Sequence, residues 1–207
     1  MYESDQESGL LQTTTIDLLR HGEPEGGTLF RGWRDDPLSA EGWAQMRHST
    51  RNPPPWELII SSPLSRCCHF AAELSQRLGV PMEKDDRLKE IGFGEWEGKS
   101  PAVLYDESPD RLSAFWQDPV KNPPPGGEPM VLFQSRVESA WQDIQVHHAG
   151  KHLLIVAHGG VNRLILGKVL GMSQSHLFRM EWPFAAVSRV SLQDGYPQLT
   201  FHCGSLD

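Results

Sequence analysis

The stretch Ile16-Asp17-Leu18-Leu19-Arg20-His21-Gly22-Glu23 decides how this chain reads. A short apolar run, suited to a buried strand, stops at an arginine, a histidine and a glycine. Two other runs stop in the same way. Leu58-Ile59-Ile60 leads into Ser61-Ser62-Pro63-Leu64-Ser65-Arg66, and Leu153-Leu154-Ile155-Val156 leads into Ala157-His158-Gly159-Gly160. Runs of this length, β-branched and followed by turn residues, predict strands. As neighbours in a parallel sheet they would end on one edge, where ligands of open α/β sheets bind. Arg20, His21, Arg66 and His158, far apart in the chain, would then share one crevice.

Helices fill the spaces between these runs. Ser39 reads as the cap of a helix reaching about Thr50. Pro63 opens another, to Leu78, with Cys67, Phe70, Ala71 and Leu74 at helical spacing and Gly79 as its stop. A short edge strand follows near 80–83. The glycines and aromatics of 85–99 predict a structured loop. Two short helices are expected at 101–107 and 109–117, a proline-rich loop at 119–129, and a long amphipathic helix at 131–147. A helix from Gly160 carries Val161, Leu164, Ile165, Val169 and Leu170 on its apolar face. Residues 186–192 and 198–202 read as a closing antiparallel pair. The predicted fold is α/β, with a mainly parallel central sheet flanked by helices. One domain is expected over 15–207. Within it, 85–130 is too long for a simple crossover and reads as an inserted loop and helix cover over the C-terminal edge of the sheet. Residues 1–14 read as a disordered or loosely attached tail.

The totals narrow the function. The 207 residues suffice for a domain with a real core. A net charge of −8 argues against a nucleic-acid binder, while local arginines can still hold a phosphate. The three cysteines form no CxxC pair, so neither a disulfide framework nor a zinc knuckle is expected. No apolar run approaches membrane-spanning length and no leader is evident, so the expected location is cytoplasmic. The expected partner is a small-molecule phosphate ester, with no nucleic acid and no membrane; a homodimer is left open. No cofactor and no metal are expected, because Arg20 beside His21 repels a cation and no HExxH spacing occurs.

Arg20 and Arg66 could fork onto an anion by bidentate hydrogen bonds. Helices opening after Arg66 and His158 would add backbone N–H groups to the same crevice. His21 would be a neutral imidazole, kept so by the arginines, with its second ring nitrogen donating to a backbone carbonyl, a close approach that Gly22 permits. Two arginines and His158 could neutralise a phosphoryl group in transfer. A carboxyl must then protonate the leaving oxygen and afterwards take a proton from water. Glu90 is taken first for that role, ahead of Glu23, Glu95 and Glu97, which spacing alone does not rank.

The ordered blocks Arg20-His21-Gly22-Glu23, Ser61 to Arg66, Leu88-Lys89-Glu90 with Gly94-Glu95-Trp96-Glu97-Gly98, and Ala157-His158-Gly159-Gly160 resemble the histidine phosphatase superfamily, of phosphoglycerate-mutase-like fold. The resemblance covers Thr15 to about Phe201. It implies that His21 is the phosphorylated histidine, that Arg20, Arg66 and His158 complete the phosphate pocket, and that Glu90 moves the proton. No arginine pair of the mutase kind is found, and Pro101 stands near the position of the mutase lysine. Instead Pro124-Pro125-Gly126-Gly127-Glu128 is similar to the loop of the phosphatase branch. Phe30-Arg31-Gly32 with Asp35 to Leu38, Ala114 to Pro119, and His158 to Leu166 resemble the α-ribazole phosphatases, which act on α-ribazole 5′-phosphate or its adenosylcobalamin counterpart in cobalamin biosynthesis. Gly22, Thr28, Arg31, Gly32 and Gly159 are the implied substrate contacts, Thr28 standing in for an asparagine that many members carry.

Plainer readings attach to the other residues. His48, His69, His147, His148, His152, His176 and His202 read as surface or partly buried. Cys67 and Cys68 read as packing residues, and Glu97 and Glu128 as loop caps. Trp96 is the tryptophan expected to stack on a base. Arg31 and Arg163 are balanced between site and surface. Other functions kept in view are a broad-specificity sugar or nucleoside phosphate phosphatase, a phosphoglycerate mutase and a non-catalytic phosphate-binding module.

Overall fold

The protein's structure, a computed structural model, describes residues 13–206. Its six strands are β1 (Thr13–Arg20), β2 (Leu58–Ser61), β3 (Met82–Lys84), β4 (His152–Ala157), β5 (Val187–Gln193) and β6 (Tyr196–Gly204). They form one sheet in the order β3-β2-β4-β1-β5-β6. The first four are parallel, β5 runs antiparallel to β1, and β6 antiparallel to β5. Register sets the site. Arg20 lies opposite Ala157 and Ser61 opposite Val156. The ladder continues one residue further, through His21 N–H to the Ala157 carbonyl and Ser62 N–H to the Val156 carbonyl, each at 3.0 Å. His21, Ser62 and His158 therefore leave the sheet at one level.

Strands covered on both faces need apolar residues along their whole length. Ile16, Leu18, Ile60, Leu153 and Ile155 pack on one side against α5 (Met130–His147) and α6 (Gly159–Val169), through Phe133, Val137, Trp141 and Leu164. Leu19, Ile59, Leu154 and Val156 face α1 (Ala40–Ser49) and α2 (Ser65–Leu78), through Met46, Cys67, Phe70 and Leu74. Burying each large side chain of this kind contributes on the order of 1.5–3 kcal/mol. Asp17 interrupts the apolar run of β1. It accepts from Arg189 (2.7 and 3.0 Å) and Trp56 Nε1 (2.8 Å), and shares a 2.9 Å contact with His152 Nε2. Burial pushes its pKa up, but those hydrogen bonds outweigh burial and hold it below the usual carboxylate value.

The local rules act at the helix ends. Ser39 Oγ caps α1 by accepting from Gly42 N–H at 3.0 Å. Gly79 ends α2 in the left-handed conformation, φ 67°. α3 (Pro101–Glu107) and α4 (Pro109–Gln117) each begin at proline, as expected. α2 begins at Ser65, so Arg66 lies inside its first turn rather than ahead of it. β1 begins within the expected tail. Thr13 and Thr14 pair with Gln193 and Leu192 of β5, as β-branched residues beside a strand will. The remainder of that tail, 1–12, lies outside the described residues. The loop 85–99 contains two 3-10 turns, Asp86–Leu88 and Gly94–Trp96. Among the described residues no helix is long and apolar enough to cross a membrane.

Candidate active site

His21 is the first residue beyond β1 and is buried. Its Nδ1 lies 2.7 Å from the Gly22 carbonyl. A carbonyl only accepts, so Nδ1 carries the proton and Nε2 keeps a free lone pair. Burial, then the charges of Arg66 and Arg20, hold the His21 pKa well below the ordinary histidine value. The ring is thus neutral at physiological pH, with a lone pair on Nε2. Its backbone is clamped as well. A Cβ on Gly22 would stand 2.2 Å from the Gly42 carbonyl oxygen, and one on Gly42 would stand 2.1 Å from that of Glu23. Only glycines allow α1 to close against the turn carrying His21.

His158 stands edge-on to His21, with ring centroids 5.2 Å apart. It shares a 2.7 Å hydrogen bond with Ser62 Oγ, which fixes the ring. Burial, then Arg66, keep it neutral too. Arg66 is fully enclosed, donating to the carbonyls of Gly32 and Arg34 at 2.8 Å each. Arg20 donates through Nη1 to the Trp182 carbonyl and lies 4.2 Å over the Phe184 ring. Burial and the neighbouring Arg163 lower Arg20 to about 10, still charged at neutral pH. In both arginines Nε is a buried donor without a hydrogen-bond partner among the described residues. Such a donor is costly unless something accepts from it.

Glu90 reaches the same place from the loop before Ile91. Its Oε1 accepts from Ile91 N–H and its Oε2 from Gly160 N–H, both at 3.0 Å. The two bonds aim the carboxyl at the opening of α6. Beyond it lies a cavity of about 260 Å³, walled by Arg20, His21, Glu90, Gly159 and Arg163 on one side. Phe30, Phe93, Trp116, Phe178 and Phe184 supply its aromatic surface, with Thr28 and Arg31 at the loop that follows β1. Among the described residues, no three His, Cys, Asp or Glu side chains come together as a metal site would require.

The model of the histidine phosphatase superfamily, branch 1, matches residues 16–203. The chain belongs to that superfamily. As a histidine phosphatase it is a phosphoric monoester hydrolase. It is 31% identical over 180 residues to a Hydrogenobacter thermophilus protein provisionally named phosphoserine phosphatase 2, covering 85% of this chain and 88% of that one. It is 29% identical over 189 residues to the adenosylcobalamin/α-ribazole phosphatase of Salmonella typhimurium, covering 88% and 92%. Among solved structures, Bacillus stearothermophilus YhfR superposes with a TM-score of 0.82 at 29% identity, covering 90% of this chain and 95% of that one.

In this histidine phosphatase the sheet edge brings Arg20, His21, Arg66 and His158 together, with Glu90 facing them. Several expectations need correction. Arg66 does not present a free fork. Loop carbonyls engage both terminal nitrogens of Arg66, leaving its Nε, whereas Arg20 is held only through Nη1. The helix ends are also engaged. Ser65 N–H donates to Asp35 at 2.6 Å and Gly160 N–H to Glu90. Of the implied substrate contacts, Thr28, Arg31 and Gly159 line the cavity. Gly22 and Gly32 do not. Gly22 meets Gly42, and a Cβ on Gly32 would stand 2.2 Å from the Ile91 carbonyl oxygen. Arg31 is tied to Asp36 at 2.7 Å and to the carbonyls of Gly27 and Glu25. Glu97 caps the amides of Trp33, Arg34 and Phe93, and Glu128 pairs with Arg136, so neither enters the cavity.

Trp96 is buried against Phe30 and Phe115 and does not face the cavity. The tryptophan on the wall is Trp116, which sequence reasoning missed. Leu112 and Phe115 hold the buried face of α4. A bulky aromatic just off that stripe was the available signal. Phe178 and Phe184 follow no periodic pattern and left none. Cys67 Sγ lies 3.6 Å from His158 Nε2 inside the core, where burial raises its pKa, so it packs rather than reacts.

Proposed function

We propose that this chain removes the 5′-phosphate from α-ribazole 5′-phosphate, or from its adenosylcobalamin counterpart, through a phosphohistidine on His21 and without a metal ion. The cytoplasm, where cobalamin is assembled, is the setting that goes with this substrate. His21 Nε2 attacks phosphorus as the ester P–O bond breaks, and Glu90 hands a proton to the departing oxygen. The freed Glu90 carboxylate then takes a proton from water. That water attacks phosphorus, the P–N bond breaks, and neutral His21 and inorganic phosphate result. The Nε donors of Arg20 and Arg66 find acceptors in the phosphoryl oxygens, and His158 supports the same group from beside His21.

The aromatic wall carries the choice of substrate. Phe30, Phe93, Trp116 and Phe178 offer flat apolar surface at the far side of a cavity whose phosphate side is charged. An ester with a flat heteroaromatic body beyond a ribose matches both sides. Phosphoserine matches less well. Its ammonium would need a carboxylate, and the carboxylate on the wall is Glu90, already assigned to the proton.

The test is kcat/KM for α-ribazole 5′-phosphate, O-phosphoserine and phenyl phosphate, all in EDTA. A preference of at least about a hundredfold for the ribazole ester, as several buried contacts give, is expected. Equal, slow rates on all three would replace this substrate with a broad-specificity phosphatase. A preference for phosphoserine would overturn it directly. Loss of all activity in EDTA would sink metal independence.

A further inference from the structure

Of the cavity's arginines that the reaction above does not use, Arg31 is tied to Asp36 and Arg163 is not paired with a carboxylate in that way. Arg163 lies on α6, one turn beyond His158. Its Nε donates to the Met180 carbonyl at 2.7 Å, which fixes the plane of the guanidinium. Its Nη1 and Nη2 make no hydrogen bond among the described residues, Glu90 and Glu181 acting on the guanidinium only through their charge. A half-buried guanidinium on the cavity wall, its plane fixed and its terminal N–H groups meeting no acceptor in the described protein, is placed to donate to a ligand. That arrangement favours an acceptor brought by a ligand.

Two parallel stacks place it. Arg20 sits over Phe184, whose ring is 5.7 Å from His21, at the side where phosphorus must lie. Arg163 lies 5.7 Å from the Phe178 ring, which is 5.4 Å from Trp116, at the aromatic side. The two arginines converge over Gly159. A Cβ there would meet Arg163 Nη1 at 2.8 Å and Arg20 Nε at 3.4 Å. Glu90, the proton donor, grips the next residue, Gly160. Arg163 thus stands between the Arg20 and Glu90 end of the cavity and its aromatic wall.

We infer that Arg163 is a specificity-determining residue, its free N–H fork binding oxygen acceptors that the leaving group carries just beyond the ester oxygen. The acceptors are the oxygens of a sugar ring. Trp116 and Phe178 then take the apolar body further out. This rests on the phosphatase reading of the site and refines which esters it selects. A leaving group without such oxygens leaves Arg163 without an acceptor.

The test compares wild type with Arg163→Met and Arg163→Lys on α-ribazole 5′-phosphate, O-phosphoserine and phenyl phosphate. Wild-type preference for the ribazole ester over phenyl phosphate tests the substrate reading. The change in that preference tests Arg163. Arg163→Met should lower kcat/KM for the ribazole ester about 10- to 100-fold more than for phenyl phosphate, the range expected for hydrogen bonds to a charged donor. Arg163→Lys should fall between, since it keeps charge and loses the fork, and it carries the test if the Met variant does not fold. An equal fall on ribazole ester and phenyl phosphate would make Arg163 a ligand of the phosphoryl group and overturn the inference. A fall confined to phosphoserine would assign it to a carboxylate, and no fall would remove it from recognition; both overturn the inference.

Discussion

The two sides of the cavity are made by different means. On one side, Arg20, His21 and His158 step off neighbouring strands whose hydrogen-bond ladder continues one residue past the sheet. On the other, Phe30, Trp116 and Phe178 come from a loop, from α4 and from a 3-10 segment, Gln174–Arg179, and hold one another by tilted and edge-on ring contacts of 5.4–5.9 Å. Backbone pairing leaves little freedom to the first. Side-chain packing between separate segments sets the second, so it can be refitted without disturbing the sheet. On the proposed function, chemistry is anchored where the fold is least adjustable, and choice of leaving group where it is most adjustable. Changes on the strand side should lower turnover of every ester alike, whereas changes on the aromatic side should alter ratios between esters.

The largest effect expected is that of His21→Ala. It should lower kcat by at least about 10⁴-fold, as loss of a covalent nucleophile does, and abolish acid-labile phosphate labelling of the protein. Labelling that survived would mean the strand side is not where bond-making occurs. Glu90→Gln should cost about 10²- to 10⁴-fold in kcat on the ribazole ester. If the loss shrank for phenyl phosphate, whose oxygen leaves readily without a proton, the acid role would be supported. A wild-type rate on the ribazole ester would pass the role to another carboxylate. On the aromatic side, Trp116→Ala should reduce kcat/KM for the ribazole ester by roughly tenfold, the scale of one aromatic contact. A matching loss on O-phosphoserine would show that the division between the two sides is false.

Smaller effects concern stability. Trp96→Phe should lower it by on the order of 1–3 kcal/mol, as a partial cavity does, without altering the ratio of rates. A changed ratio would return Trp96 to the wall. His21 and His158 are both held below the ordinary histidine pKa by burial and Arg66. The unfolded chain protonates them below about pH 6.5 while the native state leaves them neutral. Their contribution is therefore complete above that pH and is lost as pH falls toward their depressed native values. The urea midpoint should drop between pH 7.5 and 5.5, and a flat profile would contradict the buried, neutral pair.

This division also explains what could be read in advance. The strand side was legible because a short apolar run followed by Arg-His-Gly, Ser-Ser-Pro or His-Gly-Gly states both the strand and its end. The prolines at 101 and 109 did the same for α3 and α4. On the aromatic side, periodicity tells which face of a helix is buried but not what lies over the other face. Trp96 and Trp116 were exchanged for that reason. The role of Arg66 in holding the carbonyls of Gly32 and Arg34 depends on how a loop folds over α2, and no spacing records it. Gly22 and Gly32, by contrast, were rightly marked as special but for the wrong reason. Each allows backbone to approach backbone, and neither touches the cavity.

The closure of Gly22 against Gly42 bears on how this sequence can vary. Side chains at these positions would meet main-chain atoms, which cannot turn aside as a side-chain tip can. A saturation library should show two blank columns, twenty positions apart in the chain, for a single reason. A second change in either column cannot rescue the first, because what blocks each is common to all twenty amino acids. The histidine's neighbour and a helix that never reaches the substrate are thus inherited together.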